Sequence, residues 1–154
     1  KGFDSETGSF VQYYGSKNVD ASLLRLPILG FIPANDQRFI GTMKRIENEL
    51  MVDGYLFRRY KEDDGLKGDE GSFLMLTFWY IEDLILMKRL KAARSALESI
   101  IEKANHLGLY SEEIYEKTGY CLWNFPQALS HLGIISVAPK LEEALLKRVS
   151  KINE

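Results

Sequence analysis

The chain has 154 residues, of which 45% are hydrophobic and 27% charged, and its net charge of -2 gives no basis for nucleic-acid binding. Cys121 is the only cysteine, which excludes an internal disulfide and a metal site built on several thiolates. No apolar run reaches the roughly 18 residues of a membrane span and no signal peptide is visible, so we expect a cytoplasmic protein without a membrane partner. Because the chain starts at Lys1, we expect it to be a piece of something longer.

Three segments share one design, a long polar loop that leads into an apolar run. Asp20, Ser72 and Asn124 open the three runs at equal intervals, and all three are residue types that cap helix N-termini. Equal spacing with equal chemistry predicts a repeated supersecondary unit.

An amphipathic helix is predicted after each apolar run. The first begins behind a cap at Asn35 or Asp36, and the third has Pro139 in its first turn. A nearly all-apolar inner helix followed by a one-faced outer helix predicts an all-α, curved two-layer array of helical hairpins. The predicted hairpins, all in a single domain of residues 1–154, are roughly 18–51, 70–108 and 123–153.

The loops before the inner helices are predicted to gather at one end, over the helix N-termini, where a binding site would be built. In the second loop, Arg59 beside Tyr60 suits a sugar, because a guanidinium donates to hydroxyls while a ring stacks on the sugar face. A solvated turn with surface ion pairs is the alternative. Glu70 precedes an inner helix whose dipole would hold its charge, although a plain capping carboxylate would look the same.

The remaining aromatic and histidine residues are weaker candidates. Trp123 lies at the third loop–helix junction, where it would either stack on a sugar or cover the core. Trp79 and His131, well inside predicted helices, are expected in the core. No His, Cys or Asp cluster has metal-ligand spacing, so neither a metal nor a cofactor is predicted.

Three stretches resemble the C-terminal part of glycoside hydrolase family fifteen, the glucoamylase, glucodextranase and trehalase group, with the prokaryotic branch closest. They are GFDSETGSFVQYYGS, GDEGSFL and NFPQALSHLGII. The resemblance implies an (α/α)6 toroid of six hairpins, of which the three predicted here would form half. It also implies an active site over the inner-helix N-termini and a glucose-containing oligosaccharide as substrate.

The resemblance implies inverting hydrolysis of terminal glucosyl bonds, in α-glucans or trehalose, by an acid and a base carboxylate. The family's acid lies in a Trp-Glu motif that this chain lacks. Its base lies in a stretch resembling T-G-E-x-L-G-N-F-P-Q, where this chain has Tyr120, so no catalytic carboxylate is expected intact. Glu112, Glu113 and Glu116 are the substitutes in the same loop. The implied substrate contacts are Arg59 and Tyr60, followed by Glu70, Trp123 and Asn124.

We therefore expect the C-terminal portion of a glycosidase that is inactive by itself. The alternatives are a degenerate, non-catalytic carbohydrate-binding or scaffold protein with the same fold, and an unrelated helical-repeat protein. Half a toroid would expose apolar inner-helix faces, so we expect a homo-oligomer or a complex with the N-terminal half of the same protein.

Overall fold

The computed structural model describes residues 1–61 and 70–150, which form five α-helices and five short strands. The helices are α1 (Arg25–Ile28), α2 (Gln37–Glu49), α3 (Leu74–Leu86), α4 (Leu90–Ile101) and α5 (Ala128–Ser150), and a 3-10 helix (Ala21–Leu24) leads into α1. The strands are β1 (Phe3–Asp4), β2 (Ser9–Phe10), β3 (Ser72–Phe73), β4 (Glu113–Tyr115) and β5 (Tyr120–Leu122). None of the described helices has the length and apolar character needed to cross a membrane.

The first apolar run forms two short helical pieces. Asp20 caps the 3-10 helix by accepting the backbone N–H of Ser22 at 2.7 Å, which confirms the predicted cap. The chain leaves α1 through Gly30, whose positive φ of 71° suits a residue without Cβ. Asp36 then caps α2 by accepting the N–H of Arg38 at 2.9 Å, and this predicted cap is also confirmed.

The second apolar run forms α3, which packs against both α4 and α5 and is buried on most sides, as a nearly all-apolar helix must be. It begins at Leu74, so the predicted cap at Ser72 is wrong. Ser72 and Phe73 instead form β3, whose backbone groups pair with β4. The largest fully buried side chains of the core are Phe39, Phe57, Phe78, Leu24, Met43, Ile46, Leu50, Leu56, Leu74, Ile81, Leu84 and Ile100.

The third segment is one continuous helix, α5, so its predicted division into an inner and an outer helix is wrong. Pro139 lies inside α5 and costs the helix one backbone hydrogen bond, but Val137 and Leu141 are buried on either side of it. We attribute the continuity of the helix to this packing. The predicted cap at Asn124 is also wrong, because α5 begins at Ala128, and residues 151–153 of the predicted hairpin lie outside the described residues.

One face of α5 lies unusually close to α3. A Cβ on Gly133 would stand 2.3 Å from Cδ2 of Phe78, so only glycine fits between the two helices. The opposite face is left apolar and exposed. Its exposed large residues are Leu132, Ile135, Leu146 and Val149.

A three-stranded antiparallel sheet in the order β3-β4-β5 joins the second and third segments, and the sequence analysis did not predict it. Its register pairs Phe73 with Glu113 and Glu113 with Leu122. The sheet therefore fixes the third loop against the N-terminal end of α3.

Candidate functional site

Backbone hydrogen bonds bring the loops of all three segments to one end of the helices. The N–H of Ala21 donates to the carbonyl of Arg59 at 2.9 Å, which joins the first segment to the second loop. The N–H of Leu74 donates to the carbonyl of Glu112 at 3.2 Å, which joins α3 to the third loop. The loops thus meet over the helix N-termini, where sequence analysis placed the site.

A cavity of about 370 Å³ lies at this junction and takes lining residues from all three segments. This is within the range of small-molecule sites. The lining residues are Ser22, Arg25, Arg59, Phe73, Met75, Leu76, Trp79, Glu112, Gln127, Leu129 and Ser130.

A larger hollow of about 590 Å³ lies at the opposite ends of the helices. Its lining includes Pro27, Ile32 and Met87, and Lys88 is the one charged residue among the lining residues. A hollow with no carboxylate offers no acid or base for hydrolysis. A third hollow of about 520 Å³ does contain Glu98 and Glu142, but it lies along α4 and α5, away from the converging loops. The cavity at the loops is therefore the candidate site.

Glu112 is the carboxylate in the wall of the cavity. Its Oε2 accepts a hydrogen bond from Nδ2 of Asn124 at 2.7 Å, and its backbone N–H donates to the carbonyl of Asn124 at 2.9 Å. No hydrogen bond to Oε1 occurs within residues 1–61 and 70–150. The half-buried carboxylate is therefore held in place through one oxygen, while the other remains open to a ligand or water.

Glu113 points away from this cavity and is only 3% exposed. Its Oε2 accepts the backbone N–H of Gly71 at 2.9 Å. Burial raises the pKa of Glu113, and the nearby charges of Glu70 and Glu112 act in the same direction, whereas the Gly71 donor opposes them. Glu113 thus ties the second loop to the third behind the site.

Arg59 lines the cavity, and two contacts hold its guanidinium. Its Nε lies 3.6 Å from Oδ2 of Asp20, the residue that caps the 3-10 helix, and its Cζ lies 5.4 Å from the ring centroid of Tyr60. The structure therefore brings Arg59 to the site with Tyr60 beside it. A role of either residue in sugar binding stays a prediction.

Trp79 and Arg25 also line the cavity, although Trp79 was expected in the core and Arg25 was not predicted at all. Trp79 is half-buried, and the Arg25 guanidinium lies 5.1 Å from the centroid of its ring. The sequence held one signal for Arg25, a lone charge inside the apolar run LLRLPIL. Ser22 and Gln127 are further cavity residues that sequence analysis missed.

The other predicted residues lie outside the cavity lining. Tyr120, in β5, is 72% exposed, and Trp123 is 70% exposed with a positive φ of 60°. Glu116 pairs with Arg58 at 2.5 Å. Glu70, like Trp123, lies beside Glu113.

His131 has hydrogen-bond partners, as expected for a packed histidine. Its Nδ1 lies 2.7 Å from the carbonyl of Gln127, and its Nε2 accepts the N–H of Tyr110 at 3.4 Å. Within the described part of the chain, no group of three or more His, Cys, Asp or Glu side chains could hold a metal ion.

The sequence matches a family of sugar-cleaving proteins over most of its length. The family described as Glycosyl hydrolases family 15 matches residues 1–139, and the chain belongs to it. The resemblance identified from the sequence is therefore confirmed.

Two curated relatives carry the name trehalase. The chain is 92% identical to the trehalase of Thermoplasma acidophilum over 154 residues, which are 100% of this chain and 26% of the relative. It is 39% identical to the trehalase of Mycobacterium tuberculosis over 137 residues, or 88% of this chain and 20% of the relative. The chain thus spans about a quarter of the length of such relatives.

Solved structures show the same fold. A wild-type glycosidase matches with a TM-score of 0.77 and 22% identity, over 92% of this chain and 40% of that chain. A variant glycosidase solved in complex with glucose matches equally well. The all-α fold of this chain is therefore that of a toroid fragment, as the sequence predicted.

Proposed function

We propose that this chain is the C-terminal part of a trehalase-like glycoside hydrolase, in which it supplies the carboxylate that activates water and one wall of the glucose site. The observation that carries the proposal is the Glu112 carboxylate, held by Asn124 in the wall of a cavity that also presents Arg59. Relatives named trehalase favour trehalose over longer α-glucans as the substrate.

Glu112 suits the role of general base better than the other carboxyl groups of its loop. A carboxylate that faces the substrate with one free oxygen can accept a proton from water. Neither Glu113 nor Glu116 lines the cavity. Glu113 is buried and accepts the N–H of Gly71, and Glu116 pairs with Arg58.

This assignment differs from the one that the resemblance implied at Tyr120. The Tyr120 side chain is exposed and outside the cavity lining, and a phenol is a poor general base for water. We therefore propose that Tyr120 has no catalytic role and that the chain carries its base at Glu112.

Inverting hydrolysis needs a second carboxyl group about 6.5–9.5 Å from the base, to protonate the leaving oxygen. Among the cavity-lining residues, Glu112 is the one carboxylic acid. We propose that the acid comes from the rest of the longer protein, here called the parent protein, and that the isolated chain is inactive.

The exposed apolar face of α5 supports a complex rather than a free fragment. Leu132 and Ile135 are 59% and 67% exposed, and contiguous exposed apolar surface usually marks an interface. We propose that this face packs against the N-terminal part of the parent protein or, in its absence, against a second copy of the chain.

The test is glucose release from trehalose by the parent protein and by the 154-residue chain. Glu112→Gln should lower kcat about 100- to 10,000-fold, since it removes a general base. Glu116→Gln is the matched control in the same loop and should leave kcat unchanged. Turnover by the isolated chain would contradict the proposal that the acid is missing.

Two further outcomes would redirect the assignment. Loss of activity in Tyr120→Phe, with Glu112→Gln active, would return the catalytic position to Tyr120. A parent protein that cleaves no glucoside but binds glucose oligomers, with an affinity weakened by Arg59→Ala, would favour the non-catalytic carbohydrate-binding alternative.

A further inference from the structure

Arg25 is the one arginine of the cavity that no carboxylate holds among the described residues. Arg59, the other cavity arginine, lies near Asp20. Five more arginines of the described chain pair with acids, namely Arg38 with Asp36, Arg45 with Glu49, Arg58 with Glu116, Arg89 with Glu47 and Arg94 with Glu98. Arg25 instead has the ring of Trp79 at 5.1 Å as its recorded contact.

This arrangement leaves the hydrogen-bonding capacity of Arg25 unused. A guanidinium stacked on an indole face is fixed in orientation by the cation–π attraction and retains its five N–H donors around the edge. Because the Arg25 side chain lines the cavity, those donors are available to a ligand there.

Arg25 and the Glu112 carboxylate belong to the same cavity wall. The Arg25 side chain is exposed, and it lines the cavity together with Glu112 and Trp79. A sugar bound beside the Glu112 carboxylate therefore also faces the wall that Arg25 forms.

We propose that Arg25 is a specificity-determining residue that donates hydrogen bonds to a hydroxyl group of the glucosyl ring bound in the cavity, with Trp79 holding the guanidinium in position. This inference rests on the proposed function of the site. It predicts that loss of the Arg25 guanidinium and loss of one particular ring hydroxyl remove the same interaction.

The test uses the parent protein, with trehalose, 4-nitrophenyl α-glucoside and the 2-, 3-, 4- and 6-deoxy forms of that glucoside. Arg25→Met should lower kcat/KM about 10- to 100-fold for both unmodified substrates, since it removes a hydrogen bond from a charged donor. The wild type should lose a similar factor with one deoxy glucoside, and Arg25→Met should lose nothing further with that substrate. Arg94→Met, which removes an exposed arginine on α4, is the matched control and should leave kcat/KM unchanged.

Three results would overturn the inference. The first is an unchanged kcat/KM in Arg25→Met, and the second is a loss confined to trehalose. The third is that every deoxy glucoside lowers the kcat/KM of Arg25→Met by the same factor as that of the wild type. Arg25→Lys, which keeps the charge without the fork of donors, serves if Arg25→Met does not fold, and it should show the same dependence on the deoxy substrates.

If the wild-type parent cleaves no glucoside, the proposed function fails. Calorimetric titration with glucose then decides about Arg25, because an affinity weakened by Arg25→Met supports the inference and an unchanged affinity contradicts it.

Discussion

Asn124 and Glu112 are joined by two hydrogen bonds that run in opposite directions. The Asn124 side chain donates to the Glu112 carboxylate at 2.7 Å, and the Glu112 backbone N–H donates to the Asn124 carbonyl at 2.9 Å. The loop before β4 and the loop before α5 therefore position each other. The direction of the Glu112 carboxylate depends on the segment that leads into α5.

Asn124→Ala should lower the kcat of the parent protein on trehalose about tenfold or more. The variant loses a hydrogen bond to a charged group, worth about 1.5–3 kcal/mol, and leaves the Glu112 carboxylate free to rotate. Steady-state kinetics measure the effect. Asn35→Ala, an exposed residue at the opposite ends of the helices, is the control, and equal losses in both variants would contradict this role.

Glu113→Ala should destabilise the parent protein by about 1–3 kcal/mol, because the buried Gly71 N–H loses its acceptor. Glu113→Gln keeps one carbonyl oxygen and should lower the free energy of unfolding by less.

The pKa of Glu113 is raised in the fold, so its contribution to stability is fully present below pH 4.5 and is lost as the pH rises through the folded pKa. Thermal unfolding of both variants at several pH values tests this. A larger loss in Glu113→Gln than in Glu113→Ala would contradict the assigned contacts.

Local signals in the sequence predicted the helix caps only where no strand competed for the same residues. Asp20 and Asp36 cap helices as expected, because each lies in a loop with a free backbone N–H two residues ahead. Ser72 does not, since its backbone is taken up by pairing with Ile114. Strands of two or three residues show no alternation, so this sheet could not be predicted.

The sequence predicted which part of the fold holds the candidate site better than it predicted which side chains line it. The convergence of three loops followed from the equal spacing of the segments, and it brings Arg59 and Glu112 into one cavity. Position in a motif does not reveal the direction of a side chain, and Tyr120 is directed to solvent. Trp79 was expected in the core because an aromatic residue inside an apolar helix is usually buried. Trp79 does pack against the core with part of its side chain, but the rest of the side chain lines the cavity and contacts Arg25.

Asp83 should make the parent protein less stable as the pH rises. This side chain in α3 is fully buried, and neither carboxyl oxygen has a hydrogen-bond partner in the described part of the chain. Burial raises the pKa of Asp83 from 3.8 to about 9, and the charge of Glu82 adds to the effect. Between these values the folded state keeps a proton that the unfolded state has lost. The free energy of unfolding should therefore fall by up to about 1.4 kcal/mol per pH unit.

Asp83→Asn tests this pH dependence, because it removes the titration with little change in shape. Its melting temperature should be close to that of the wild type at pH 3 and higher than that of the wild type at pH 8. Calorimetry over this range provides the measurement, with the exposed Asp53→Asn as the control. A constant difference between Asp83→Asn and the wild type at all pH values would contradict the role of burial.

Gly133→Ala should destabilise the protein, although the same change in an exposed helix usually stabilises by about 1 kcal/mol. The added Cβ would lie 2.3 Å from Cδ2 and 2.6 Å from Cγ of Phe78, so α5 must move away from α3 at a cost of about 1–3 kcal/mol. A double-mutant cycle on the parent protein with Phe78→Leu isolates this contact. Gly133→Ala should cost less beside Leu than beside Phe, and equal costs in the two backgrounds would show that the close approach of the helices does not require glycine.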